Sequence, residues 1–109
     1  YVLLEHKTDK ASHERALQLA LPLEATRNPA FLDTLGWAYY KVGKYDDASR
    51  VLQRVIAAAP NEPMFQYHLG MALFRAGKAE DGKALLKKAL ERNANFPGAD
   101  EAKKIVGAG

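Results

Sequence analysis

The chain has no cysteine, so disulfides and thiolate metal sites are excluded and nothing marks the redox compartment. It has no run near the roughly 20 apolar residues that a membrane-spanning helix needs. Charge of one sign is scarce as well. A net +3, with Lys and Arg spread along the chain, neither requires nor forbids an acidic partner. There is no opening Met, basic stretch or cleavage site, and Tyr1-Val2-Leu3-Leu4 reads as the middle of a helix. The chain is therefore expected to be a piece or processed product of something longer. What remains is ordinary: 109 residues, 48% hydrophobic and 27% charged, describe one globular unit able to bury a modest continuous core.

The informative feature is an internal repeat. Leu35-Gly36 recurs 34 positions later as Leu69-Gly70, Ala38 as Ala72, Gly43-Lys44 as Gly77-Lys78, Leu52 as Leu86, and Pro29 as Pro63. A fixed offset of this length means that one supersecondary unit is stacked on a copy of itself. The local signals inside each copy are helical. Asn28 suits an N-cap with Pro29 at the first helical position, and Phe31, Leu32, Leu35, Ala38 and Tyr39 fall on one face. Gly43 ends that helix, and a second begins near Tyr45 with Asp46 and Asp47 in its first turn. Its apolar positions are Ala48, Val51, Leu52, Val55 and Ile56, and it stops before Pro60. The copy runs from Pro63 to about Ala76 and from about Ala79 to Asn93, with Ala84, Leu85, Leu86, Ala89 and Leu90 inward. A last helix is expected over Pro97–Val106. Upstream, one helix tail spans Tyr1 to about His6, and another helix spans Ser12 to Leu23 until Pro22 kinks or ends it.

Gly36 and Gly70 sit inside helices, where glycine costs about 1 kcal/mol relative to alanine. Meeting that cost twice at one phase implies close approach by a neighbouring backbone or large side chain. Ala38, Ala48, Ala72 and Gly82 suit the same tight packing.

These residues resemble the tetratricopeptide repeat, a helix–turn–helix unit whose copies stack. Counted from Pro29, its signature positions hold Leu32, Leu35, Gly36, Tyr39, Ala48, Leu52, Val55 and Pro60. The next copy holds Gln66, Leu69, Gly70, Leu73, Gly82, Leu86, Ala89 and Ala94, departing from the pattern at Gln66, Gly82 and Ala94. The resemblance implies an all-α fold, a right-handed superhelical stack of antiparallel helix pairs. It divides the chain into a degenerate unit over 1–27 with an enlarged turn at Lys7–Ala11, repeats over 28–61 and 62–95, and a capping helix and tail over 96–109. Strings such as Leu32-Asp33-Thr34-Leu35-Gly36-Trp37 and Phe96-Pro97-Gly98-Ala99 also resemble bacterial repeat proteins of exopolysaccharide and protein-sorting systems. That finer resemblance implies the bacterial cell envelope or periplasm, with the cytoplasm as the alternative.

In this family the first helix of each unit lines a concave surface. Carried over by position, the lining is Ala30, Asp33, Trp37, Tyr40 and Lys41, then Met64, Tyr67, Met71, Phe74 and Arg75. Aromatics, Met and Arg are enriched where partners bind. The expectation is a groove that holds a peptide or partner segment by apolar anchoring, with Lys41 and Arg75 at the rim. The plainer reading is that some of these side chains pack between neighbouring helices. A Lys/Asn/Arg clamp for chaperone C-termini, known in the family, is not carried over, since Asp33, Trp37, Tyr67 and Met71 occupy the facing positions.

Signals for chemistry are weak. Gly77-Lys78-Ala79-Glu80-Asp81-Gly82-Lys83-Ala84 approaches a phosphate-binding loop but lacks its closing Ser/Thr and a preceding strand. His6, His13 and His68 lack metal-ligand spacing, and His68 is expected at the groove edge as a polar surface residue. Asp46-Asp47 and Glu80-Asp81 are explained by helix first turns. No Ser/His/Asp arrangement is suggested by local context. Lys87, Lys88, Arg92, Lys103 and Lys104 lack interleaved aromatics and read as a solvated face, not a nucleic-acid site. No catalytic residue, cofactor or metal is expected. The leading reading is a non-enzymatic interaction module with a protein or peptide partner. The alternative is a self-assembly element that associates through the bare Tyr1–Leu4 end, since repeat arrays need polar caps. Membrane association would require an anchor upstream.

Overall fold

Asn28 and Pro29 start the helix that organises the middle of the molecule. In the computed structural model, which describes residues 12–93 and 95–108, Asn28 Oδ1 accepts a hydrogen bond from the Ala30 N–H at 2.9 Å. A cap of this kind stabilises a helix by about 1 kcal/mol. The helix, α2 (Pro29–Lys41), is preceded by α1 (12–20), which passes into a 3₁₀ turn at Leu21–Ala25. Pro22 explains that change, because it cannot donate into the α-helical ladder. The upstream helix tail, the Lys7–Ala11 turn and Ala94 lie outside the described residues.

Gly43 closes α2 with φ +87°, while Lys44 N–H donates to the Tyr39 carbonyl and Gly43 N–H to the Tyr40 carbonyl, both at 3.0 Å. This is a Schellman ending, and it needs a residue that tolerates the left-handed region. The next unit repeats it: α4 (Pro63–Arg75) ends at Gly77, φ +93°, with Lys78 N–H on the Leu73 carbonyl at 2.9 Å. Between and after them run α3 (Tyr45–Ala58) and α5 (Ala79–Arg92). Neither has a side-chain N-cap, and Asp46–Asp47 and Glu80–Asp81 face the positive helix ends instead. The stretch that approaches a phosphate-binding loop is the turn at Gly77-Lys78 followed by the first turns of α5.

The helices pack as pairs, α2 on α3 and α4 on α5, with α3 against α4 and a last helix, α6 (Ala99–Ala108), against α5. The result is an all-α stack of helix pairs, a fragment of a solenoid. Glycine sets the pair spacing. A Cβ on Gly36 would lie 2.5 Å from Leu52 Cγ, and one on Gly82 would lie 2.6 Å from the Gly70 carbonyl oxygen and 2.7 Å from Phe74 N. Leu52 and Leu86, which fill the space opposite Gly36 and Gly70, are fully buried. Each such leucine contributes about 1.5–3 kcal/mol by burial. One core cluster joins Leu17 and Ala20 of α1 to Leu35, Val51, Leu52, Val55 and Leu69. A second joins Tyr67, Met71, Leu86 and Ala89 to Phe96, Ala99 and Ala102.

Three expectations are corrected. Phe31 is 52% exposed, whereas Phe65, its counterpart 34 residues on, packs against the core. The α-helix before Phe31 stops at residue 20, so among the described residues nothing stands before α2 as α3 stands before α4, the helix of Phe65. Ala84 is exposed, because Gly82, Leu86 and Ala89 form the buried stripe of α5. At helical spacing Ala84 sits roughly 200° from Gly82. The last helix begins at Ala99, not Pro97, since Pro97-Gly98 form a turn with Gly98 at φ +93°. A Cβ on Gly98 would collide with the Tyr67 ring. Gln66, where the second copy departs from the repeat pattern, is buried: its Nε2 donates to the Pro60 carbonyl at 2.8 Å, and its Oε1 has no partner among the described residues.

Two alanine substitutions separate packing from propensity. Gly82→Ala drives a methyl group into α4 backbone and should destabilise by about 1–3 kcal/mol despite its better helix propensity. Gly107→Ala, with open space around it in α6, should be neutral or stabilise by up to about 1 kcal/mol. Urea unfolding of both variants measures the contrast; equal effects would refute it.

Candidate functional site

Asp33, Trp37, Tyr40 and Lys41 share one stripe of α2, spaced i, i+4, i+7 and i+8, and α3 holds the opposite side of that helix. The Trp37 ring lies between two others. Tyr40 stacks on it with centroids 4.3 Å apart and planes 3° apart, and His68 of α4 stacks at 4.0 Å and 22°. Tyr67 tilts against Trp37 at 5.7 Å and against Phe96 at 5.2 Å. Aromatic pairs of this kind are worth about 0.5–1.5 kcal/mol each beyond area burial. The stack ties α2 to α4 along the surface assigned to a partner.

A polar pair fixes it in place. His68 Nδ1 lies 2.8 and 2.9 Å from the two carboxylate oxygens of Asp33, and the two side chains are only 9% and 14% exposed. His68 is therefore a buried residue stacked on Trp37, not the polar surface residue expected. Its sequence offered no sign of this, because Asp33 lies 35 positions away.

The remaining positions fall into two groups. Tyr40, Phe74 and Met64 are half-buried, and Lys41 and Arg75 are exposed. Arg75 lies 3.7 Å from Glu101 of α6, and the Tyr40 hydroxyl of α2 is the main influence holding its guanidinium above the usual range, so it links three helices at the rim. Met71 has no exposed surface and Tyr67 has 6%. Both belong to the second core cluster, beneath Phe96 and α6, so they shape the surface from below and do not line it. Burial pushes the Tyr67 hydroxyl up to about 12, with Glu101 and Tyr40 adding to the effect. Burial also raises Tyr40, opposed by Arg75.

Beside the stack lies a cavity of about 300 Å³ between α1, α2 and α4. Asp33, Trp37 and Lys41 border it from α2, and His68 from α4. Its other walls were not assigned to the partner surface from the sequence: Thr34 and Ala38 of α2, and His13, Ala16 and Ala20 of α1. Thr34, Ala38 and Lys41 lie at i, i+4 and i+7, a stripe of α2 about 100° round from Asp33 and Trp37. The α1 contribution depends on packing across units and leaves no local signal. No group of three or more metal-binding side chains occurs among the described residues.

A family model described as the tetratricopeptide repeat matches residues 34–100. Among solved structures, the chain is similar to the Yersinia enterocolitica type III secretion chaperone SycD, solved in complex with a peptide of the translocator YopD. The TM-score is 0.73 at 23% identity, covering 99% of this chain and 87% of that one, a likeness of fold. No curated protein matches.

Two measurements check this geometry. A double-mutant cycle of Asp33→Ala and His68→Ala by chemical denaturation should give a coupling of about 1–3 kcal/mol; additivity would mean the pair does not hold the stack. Tyr67 favours its neutral form in the folded state, so the stability it contributes is intact below its ordinary value of 10.0 and lost as pH rises towards about 12. Tyr67→Phe should lessen the loss of stability across that window, read by thermal unfolding at a series of alkaline pH values.

Proposed function

We infer a function from one premise: the chain belongs to the tetratricopeptide repeat family. It is a non-enzymatic interaction module whose surface over α2 and α4 takes a peptide or an extended segment of a protein partner. The observation that carries this reading is the Tyr40–Trp37–His68 stack, locked by Asp33 and bordered by a cavity with Lys41 at its edge. A rigid aromatic surface beside a depression offers a partner large contact area at little entropy cost. The like-folded SycD, solved with a peptide of its translocator, supports a chaperone-like role in which a segment of a client protein is held.

The exopolysaccharide and protein-sorting resemblance, and the envelope or periplasmic address that goes with it, rest on short strings alone, with the cytoplasm as the alternative. Self-assembly was first suggested by Tyr1–Leu4, outside the described residues, and gains a separate observation in the exposure of Leu19 (75%), Leu21 (43%) and Phe31 (52%). Light scattering over a concentration series tests it, and a strict monomer throughout would refute it.

The partner reading is tested by selecting peptides from a displayed random library on the intact chain. Trp37→Ala and Phe74→Ala should each weaken the selected peptides by about tenfold or more while the helical circular dichroism is retained. Undiminished affinity in both variants would overturn the groove.

A further inference from the structure

We propose that the cavity between α1, α2 and α4 is a side-chain pocket that seats one apolar residue of an extended partner segment, with His68 Nε2 accepting a hydrogen bond from that segment's backbone N–H. The inference rests on the groove reading and names the chemistry of one part of it.

The walls are mostly apolar and small. Ala16, Ala20 and Ala38 contribute only methyl groups, so the space beside the Trp37 ring stays open. At about 300 Å³ the cavity lies at the lower end of the usual range for ligand sites, enough for one side chain and its adjoining amide. Thr34 adds little polarity, because its hydroxyl already donates to the Ala30 carbonyl at 3.1 Å.

His68 is the polar wall. Its side chain is 9% exposed, and its Nδ1 is held by both oxygens of Asp33 at 2.8 and 2.9 Å. In the neutral imidazole a carboxylate on Nδ1 selects the tautomer that carries the proton there, which leaves Nε2 as an acceptor lone pair. No described residue bonds Nε2. It is not among the buried atoms left without a partner, so it stands open to solvent and can accept from an incoming donor. In a peptide that meets Trp37 with an apolar side chain, the nearest donor is the backbone N–H. Lys41, exposed at the edge, stands where it can meet a carbonyl of the same segment. An apolar pocket with one oriented acceptor favours a Leu-like residue in an extended chain over a free anion.

The test uses two small probes on the intact chain: N-acetyl-leucine dimethylamide, which carries one N–H, and its N-methylated analogue, which carries none. Titration is followed by the indole resonance of Trp37 and the imidazole resonances of His68. The N–H probe should shift both saturably and bind about three- to tenfold tighter than the analogue. The difference should vanish in His68→Phe, which keeps an aromatic ring but removes the acceptor. Ala16→Phe, on the exposed side of α1, should fill the cavity and abolish the shifts. Equal affinity of the two probes for the native chain overturns the proposal, as do shifts that persist in Ala16→Phe. Library-selected peptides that bind Ala16→Phe undiminished leave the groove standing and remove the pocket. If no peptide can be selected yet the N–H probe binds as described, the pocket stands and the groove reading falls.

Discussion

Where α4 crosses α5, the carbonyl oxygen of Gly70 lies 2.6 Å from the place a Cβ on Gly82 would take. Only two facing glycines permit that approach, and the unit before meets a similar demand by setting Gly36 against Leu52. Because interiors are close-packed, the separation of each pair also fixes which side chains of its first helix reach the next one. Held at that distance, α2 and α4 stand near enough for His68 to stack on Trp37 and meet Asp33. The aromatic surface is thus a consequence of glycine packing on the other side of the same helices.

Position in the stack then overrides position in the repeat. Every residue of α4 from Gln66 to Leu73 is buried, whereas in α2 only Leu32, Leu35, Gly36 and Tyr39 are. A helix covered on all sides has no polar face to betray its orientation. Equivalent residues therefore have different fates. Trp37 is half-buried beside a cavity, while Met71 is sealed under α6; Phe31 is exposed, while Phe65 packs on the core. The surface a partner would meet is concentrated on α2, on the exposed ends of α4, and on the cavity walls that α1 supplies.

Much of the architecture was legible from local chemistry. Asn28-Pro29, Gly43 and Gly77 mark helix ends through capping and positive φ, which depend on neighbours a few residues away. The 34-residue offset carried the pairing of helices, and the mid-helix glycines carried their closeness. The candidate site was legible only in part. Asp33, Trp37, Tyr40, Lys41 and Arg75 lie at or near the surface by repeat register, but His68 was misplaced, and His13, Ala16 and Ala20 gave no signal. Their roles come from contacts between helices far apart in the chain, which neither periodicity nor composition encodes.

The amino-acid sequence alone determined that the chain forms paired helices, where most of them start and stop, and that glycine draws the pairs together. These are short-range consequences of backbone geometry and of a repeated pattern. Tertiary structure decided which face of each first helix remains open, that Met71 and Tyr67 serve the core, and that Asp33 locks a buried histidine against Trp37. The physical reason is that exposure and hydrogen-bond pairing belong to neighbourhoods, and a neighbourhood exists only once α1, α2, α4 and α6 have been packed around it.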